Sequence, residues 1–357
     1  MERLLVAGNT AEGFVNLFGD FIAGSRTTYL KGGSGVGKST FIREFAKRAE
    51  DLGYETIKVP CSSDINSLDA VKIVGLNLVM LDATSPHVFE PELYGITGDI
   101  FDIGKHLNPA VLAPKTGILK ELIETKKQAY KCMYNELRCV NLQYQNIDNL
   151  YNAYFNEDKF NNLVKEIFAS LDLTCADSKI KAFADYIAGD GYHNIVNEYI
   201  GDRKVINICG RCNFAKYAVL ENIASRLDKK KVRYESFYTI LNPQKLFAIG
   251  LKNVVLVCSD KGDGFDTDIC FNMSKVQGDV PLLLEHRHCI NYNLKRAGDY
   301  YMRSRVAHTE IEKAYLPAMD FAALEVEKQN YLDNLFHNYW HNLALCYTKC
   351  KDTLTKQ

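Results

Sequence analysis

The ten residues Lys31-Gly32-Gly33-Ser34-Gly35-Val36-Gly37-Lys38-Ser39-Thr40 have the types and spacing that phosphate chemistry needs. From Gly32 to Ser39 they fit G-x-x-x-x-G-K-[ST], the pattern of a phosphate-binding P-loop. Glycines take up positive φ and let the backbone come close to phosphate oxygens with no Cβ in the way. The loop's N–H groups and the positive end of the following helix dipole then face the anion. In this reading Gly32, Gly33, Ser34, Gly35, Val36, Gly37, Lys38, Ser39 and Thr40 form the cradle. Lys38 reaches the β- and γ-phosphates and neutralises developing charge, and the Ser39 hydroxyl ligates Mg²⁺.

Such a loop has to be positioned by a strand before it and a helix after it. Thr27-Thr28-Tyr29-Leu30 reads as the strand, and Phe41, Ile42, Phe45, Ala46 and Ala49 mark one face of an amphipathic helix ending near Gly53. Tyr54–Val59 reads as a second strand, followed by a polar, turn-rich stretch from Pro60 to Ser67. Gly75–Asp82 is a near-continuous apolar run, as a buried parallel strand looks, and its final Asp82 is a Walker B candidate that would lie near Mg²⁺ and help to hold it from behind its direct ligands. Upstream, residues 9–23 read as a turn and a short helix with Phe14, Leu17, Phe18 and Phe21 on one face. From about Lys115 the spacing is helical over a long span, with further helical stretches expected near 145–155 and 158–171.

The chain then restarts. A constant shift of 178 residues carries Lys38 onto Lys216, Gly32 onto Gly210 and Gly13-Phe14 onto Gly191-Tyr192. The apolar helix positions fall on Val219, Leu220, Ile223, Ala224 and Leu227. The chain therefore reads as an internal duplication, each copy an α/β domain of mostly parallel sheet followed by helices. The expected boundaries are 1–112 for the P-loop domain, 113–178 for its helices, 179–283 for the second α/β domain and 284–357 for the closing helices. The second loop has lost its chemistry: Arg211 and Phe214 replace small residues, Ala215 replaces Gly37, Tyr217 replaces Ser39, and Cys258 stands in place of Asp82.

These residues resemble a largely uncharacterised family of bacterial two-domain P-loop ATP-binding proteins. The resemblance rests on Gly8-Asn9-Thr10-Ala11-Glu12-Gly13-Phe14, on Lys31 to Thr40, on Asp82-Ala83-Thr84-Ser85-Pro86-His87, and on Ile311-Glu312-Lys313-Ala314-Tyr315-Leu316-Pro317-Ala318-Met319-Asp320-Phe321. It covers nearly the whole chain and implies ATP binding with hydrolysis or phosphoryl transfer, without naming a substrate. The degraded second loop departs from the family, in which both loops look intact.

Weaker candidates surround this core. His87 could meet the γ-phosphate or an acceptor group, or cap its loop, and Asp99 and Asp102 could supply a base or a Mg²⁺ contact but read better as helix caps. Arg43 and Arg211 are conceivable arginine fingers. Cys209-x-x-Cys212 with His286, His288 and Cys289 could build a zinc site, although no second C-x-x-C accompanies it. His337/His341 and Cys346/Cys350 have helical spacing without an acidic partner, and Lys229-Lys230-Lys231 suits a helix end.

Composition narrows the class further. A net charge of −1 over 357 residues gives no sign of a nucleic-acid or membrane-surface binder. Eleven scattered cysteines read as reduced thiols in a cytoplasmic setting, and neither a signal peptide nor a membrane span is expected. No Asn-Lys pair provides a guanine-specificity motif, which favours ATP over GTP. The expectation is thus a Mg²⁺-dependent ATPase with one active site, Lys38 and Asp82 being the catalytic candidates. Alternatives are a small-molecule or nucleotide kinase with an unknown acceptor, and a non-hydrolysing switch that binds a protein partner.

Overall fold

A computed structural model describes residues 2–86, 88–177, 179–210, 213–259, 267–277 and 284–354, with side chains of the last helix described through residue 337. The first half runs through a hairpin, β1 (Ala7–Thr10) and β2 (Gly13–Asn16), then α1 (Phe18–Ile22), β3 (Arg26–Lys31) and α2 (Lys38–Asp51). It continues with β4 (Thr56–Cys61), β5 (Asp64–Ile73), β6 (Leu78–Asp82), β7 (Gly98–Asp102), α3 (Pro109–Leu112), α4 (Thr116–Asn152) and α5 (Glu157–Ala169). The second half begins at β8 (Lys181–Phe183) and has the hairpin β9 (Asp185–Ala188) and β10 (Gly191–Asn194), α6 (Val196–Ile200), β11 (Lys204–Cys209) and α7 (Asn213–Lys229). Then come β12 (Glu235–Thr239), β13 (Asn242–Gly250), β14 (Val254–Ser259), β15 (Ile269–Asn272), α8 (Ser274–Gln277), α9 (Leu284–Tyr315) and α10 (Phe321–Leu354).

The duplication is visible strand by strand. The first sheet has the order β4-β5-β6-β3-β7, and the second repeats it as β12-β13-β14-β11-β15 with β8 added beyond β12. Both sheets are mixed, where mostly parallel ones were expected. β3 lies parallel to β6 and β7, whereas β4–β5 and β5–β6 are antiparallel. The architecture is accordingly a duplicated α/β one, two sheets each flanked by helices.

Three local expectations change. Residues 7–16 form a hairpin, with Phe14 in a strand; Thr10 and Gly13 close a tight turn there, with the Thr10 hydroxyl donating to the Gly13 carbonyl. The polar stretch after Pro60 turns back as β5, hidden in the sequence because its outer end alternates Asn66, Ser67 and Asp69 with apolar residues. The helical stretch expected at 145–155 belongs to the single long α4.

Each sheet buries both faces. In the first, Leu30, Val71, Ile73, Leu78 and Met80 face α2 and α10, while Tyr29, Val59, Ala70, Val79 and Leu81 face a core continuing into the second half. The long helices α4 and α9 pack along each other, one from each half. The helices that follow them cross over. α5 docks on α7 and α8 of the second half, and α10 docks on the first half through Phe41–Tyr331 and Phe45–Phe336 ring contacts and a Lys328–Glu44 ion pair at 2.7 Å. Matching backbone bonds mark the two crossings: Asn156 N donates to Val276 O, and Asp320 N donates to His106 O. The donors Asn156 and Asp320 are 164 residues apart and the acceptors His106 and Val276 are 170 apart, so the repeat extends through the helices at a shorter shift.

The crossover should carry stability for the half it does not belong to in sequence. Phe336→Ala empties a buried ring site against Phe45, at an expected cost of about 3 kcal/mol. Urea unfolding followed by circular dichroism would read that loss.

Among the described residues no helix is long and apolar enough to cross a membrane.

Candidate functional site

The glycine loop joins the end of β3 to the start of α2. Gly35 and Gly37 hold φ of 71° and 97°, left-handed values at which a side chain is strained, so glycine is required at both. Gly37 is the N-cap of α2, no side chain caps the helix, and its first turn carries no acid. The amide end of a 14-residue helix is thus left for an anion.

Lys38 folds back over the loop. Its ammonium donates to the carbonyls of Gly32 (3.2 Å) and Gly33 (2.5 Å) and lies 3.7 Å from the Asp82 carboxylate. Asp82 reaches it because β3 and β6 pair with Leu30 opposite Asp82, placing both strand ends side by side. The other Asp82 oxygen accepts from the backbone and hydroxyl of Thr84. Burial pushes the Asp82 carboxyl above its ordinary value; Lys38 opposes that shift and nearby Asp69 adds to it. Asp69 is 4 % exposed and sits on β5 one position beyond the Ala70–Leu81 pair, next to Asp82. The Ser39 hydroxyl accepts from Leu68 N at 2.9 Å, which ties the start of α2 to the same strand.

A hydroxyl and two carboxylates therefore gather at the loop. Among the described residues no group of three or more His, Cys, Asp or Glu is arranged to hold a metal. Ser39, Asp82 and Asp69 are the side chains here that could hold a Mg²⁺ ion, a cation that usually takes most of its ligands from phosphate and water. Sequence reasoning did not find Asp69, because its strand was not recognised.

The loop is also covered, and the cover comes from the other half. A Cβ on Gly33 would stand 3.0 Å from the Tyr315 ring, and one on Gly35 would stand 3.0 Å from the Cα of Glu312. Both residues lie in the last turn of α9, within the Ile311–Phe321 segment, and Phe321 and Leu324 of α10 lie beside Gly37. Gly35→Val would combine backbone strain with a collision against the α9 backbone. It should lower the thermal midpoint by several degrees and abolish any function of the loop, as differential scanning fluorimetry and a nucleotide titration would show.

The second half has a different mouth. Lys216 is 2 % exposed and donates to the Ser259 carbonyl at 3.0 Å. The Asp148 carboxylate of α4 accepts from Phe214 N in the first turn of α7, where an anion would otherwise sit. Tyr217, in place of Ser39, is half-buried against the apolar core, and a Cβ on Gly210 would meet Met273 at 2.8 Å.

The remaining candidates fall elsewhere. His87, Arg211 and Cys212 lie outside the described residues. Asp102 caps a short turn by accepting from Gly104 N, whereas Asp99 is no cap: it sits in β7 and pairs with Arg26 at 2.5 Å. Arg43 donates to the Asn66 carbonyl. Cys209 adjoins Cys270 and His286 contacts Gln143, and among the described residues these zinc candidates form no group of three or more metal-binding side chains.

Comparison of the chain with protein-family models, with curated proteins and with solved structures returned no match.

Proposed function

We propose that this chain is an ATP-binding P-loop nucleoside triphosphatase, Mg²⁺-dependent, with one working site in its first half and a degenerate copy in its second. The observation that carries the reading is the Lys38 ammonium, held by two loop carbonyls 3.7 Å from Asp82 at an uncapped helix start. Binding of a triphosphate would exchange those weak carbonyl contacts for charge-assisted bonds to phosphate oxygens. Ser39 and Asp82, with Asp69 beside them, would hold Mg²⁺, whose charge would offset that of the phosphates. The remaining work of the protein is positioning and electrostatics.

The P-loop fold belongs to the same proposal. The adjacency of β3 and β6, the sequence pattern of the loop and the resemblance noted above all support it. A cytoplasmic location fits the free cysteines found among the described residues.

A second reading is a nucleotide-dependent switch, and the packing of Glu312 and Tyr315 on the loop glycines favours it. A phosphate entering the loop would press on the end of α9 and so on the α9–α10 corner. Mg²⁺-dependent phosphate release from ATP separates the two. Steady turnover supports the triphosphatase; tight ATP binding without turnover supports the switch; absence of binding refutes both.

A further inference from the structure

Above the loop, between α4 and α9, lies a cluster of charge that the proposed function has not used. The Lys126 ammonium of α4 lies 2.9 Å from Nδ1 of His308 on α9. His308 Nε2 in turn lies 3.3 Å from the Glu312 carboxylate, one helical turn on, where α9 touches Gly35. The tautomer whose Nδ1 accepts from lysine and whose Nε2 donates to the carboxylate joins all three groups. The hydrogen bond to His308 holds the Glu312 carboxyl below its ordinary value, keeping it ionised. Arg305, one turn earlier on α9, pairs with Asp64 at 2.9 Å.

Lys38, Lys126 and Arg305 come from three distant stretches of chain, yet the charges of Lys38 and Arg305 both reach Lys126. Burial pushes the Lys126 ammonium below its ordinary value; Arg305 and Lys38 push in the same direction, while Cys61 and Glu312 oppose them. Gathering cations at a half-enclosed site costs electrostatic free energy, and a bound polyanion offsets it.

The duplicated chain contains its own control. Applying the 164-residue shift of the helices, Lys126 falls on Ile290, His308 on Tyr144 and Arg305 on Asn141. Ile290 is buried and Tyr144 packs against the apolar core. Where the loop has lost Gly33, Gly35, Gly37 and Ser39, the counterparts of Lys126, His308 and Arg305 have gone as well, and Lys216 alone remains. Glu312 falls on Asp148, the carboxylate that fills the helix start in the second half, but in the first half the carboxylate is drawn to His308 instead.

We propose that Lys126, braced through His308 by Glu312, holds the terminal phosphate of the nucleotide bound at the glycine loop. This rests on the nucleotide reading and makes the site composite: the loop comes from one copy, and the brace on α9 comes from the other. Lys126 would touch the ligand; His308 and Glu312 are positioning residues.

The test compares ADP with a non-hydrolysable β,γ-imido analogue of ATP, both with Mg²⁺, by calorimetry on the full chain. Wild-type protein should prefer the triphosphate. Lys126→Gln should weaken the analogue by about tenfold, the worth of one charged hydrogen bond, and leave ADP within about twofold. His308→Gln should shift the preference in the same direction by less, and it carries the test if Lys126→Gln fails to fold. Equal weakening of both nucleotides, or of neither, overturns the proposal while the nucleotide reading stands. Absence of binding by wild-type protein overturns both.

Discussion

Lys38→Ala should reduce Mg²⁺-ATP turnover by about 10²–10³-fold, the scale on which one preorganised charge at a reacting centre acts. Lys216→Ala, its counterpart in the repeat, should leave turnover within about twofold of wild type. The two residues occupy equivalent positions at the starts of α2 and α7, so the pair separates local chemistry from position in the fold. Among the described residues, Lys38 is bonded to carbonyls of its own loop and paired with Asp82, contacts a phosphate can replace. Lys216 is almost fully buried on the Ser259 carbonyl, and the start of its helix is already met by Asp148. Removing Lys216 should therefore appear as lost stability, about 1–3 kcal/mol for the group left behind, and not as lost turnover. Phosphate release and urea unfolding on both variants read the two effects. Comparable loss of turnover in both would mean that the second mouth is also a working site.

Asp82→Asn is the second large effect. Asparagine keeps an oxygen that can accept from Thr84, so the turn after β6 should survive. What it removes is the negative charge facing Lys38 and the Ser39 region. A carboxylate that supports a metal-binding site is worth about 10–100-fold in metal affinity or activity. The expected result is a higher Mg²⁺ concentration for half-maximal turnover, with ATP affinity measured in the absence of metal unchanged or improved, since Lys38 is released from its ion pair. Asp69→Asn should raise the Mg²⁺ requirement in the same direction. Insensitivity of the metal requirement to both variants would reduce the two carboxylates to structural neighbours.

The strand, loop and helix around Lys38 were legible because their signals are local: a glycine pattern, then apolar residues at helical spacing from Phe41 to Ala49. The duplication was legible for a similar reason, since self-similarity needs no knowledge of packing. β5 escaped because an antiparallel strand beside a polar loop mixes Asn66, Ser67 and Asp69 into its alternation, which reads as turn chemistry; Asp69 was lost with it. The crossing of α5 and α10 has no local signature, because each helix presents an ordinary amphipathic face whatever it packs against. Lys126 sits in Glu124-Thr125-Lys126-Lys127, which reads as a solvated helix face. Only the pairing of α4 with α9 sets it beside His308. Glu312 and Tyr315 stood out in the sequence as a pattern, yet their contact with Gly35 and Gly33 depends on the fold of both halves.

The most direct measurement is the stoichiometry of Mg²⁺-ATP binding by calorimetry on the wild-type chain and on Lys38→Ala. The account predicts one nucleotide per chain, lost in the variant. Two nucleotides per chain, or undiminished binding by Lys38→Ala, would contradict it.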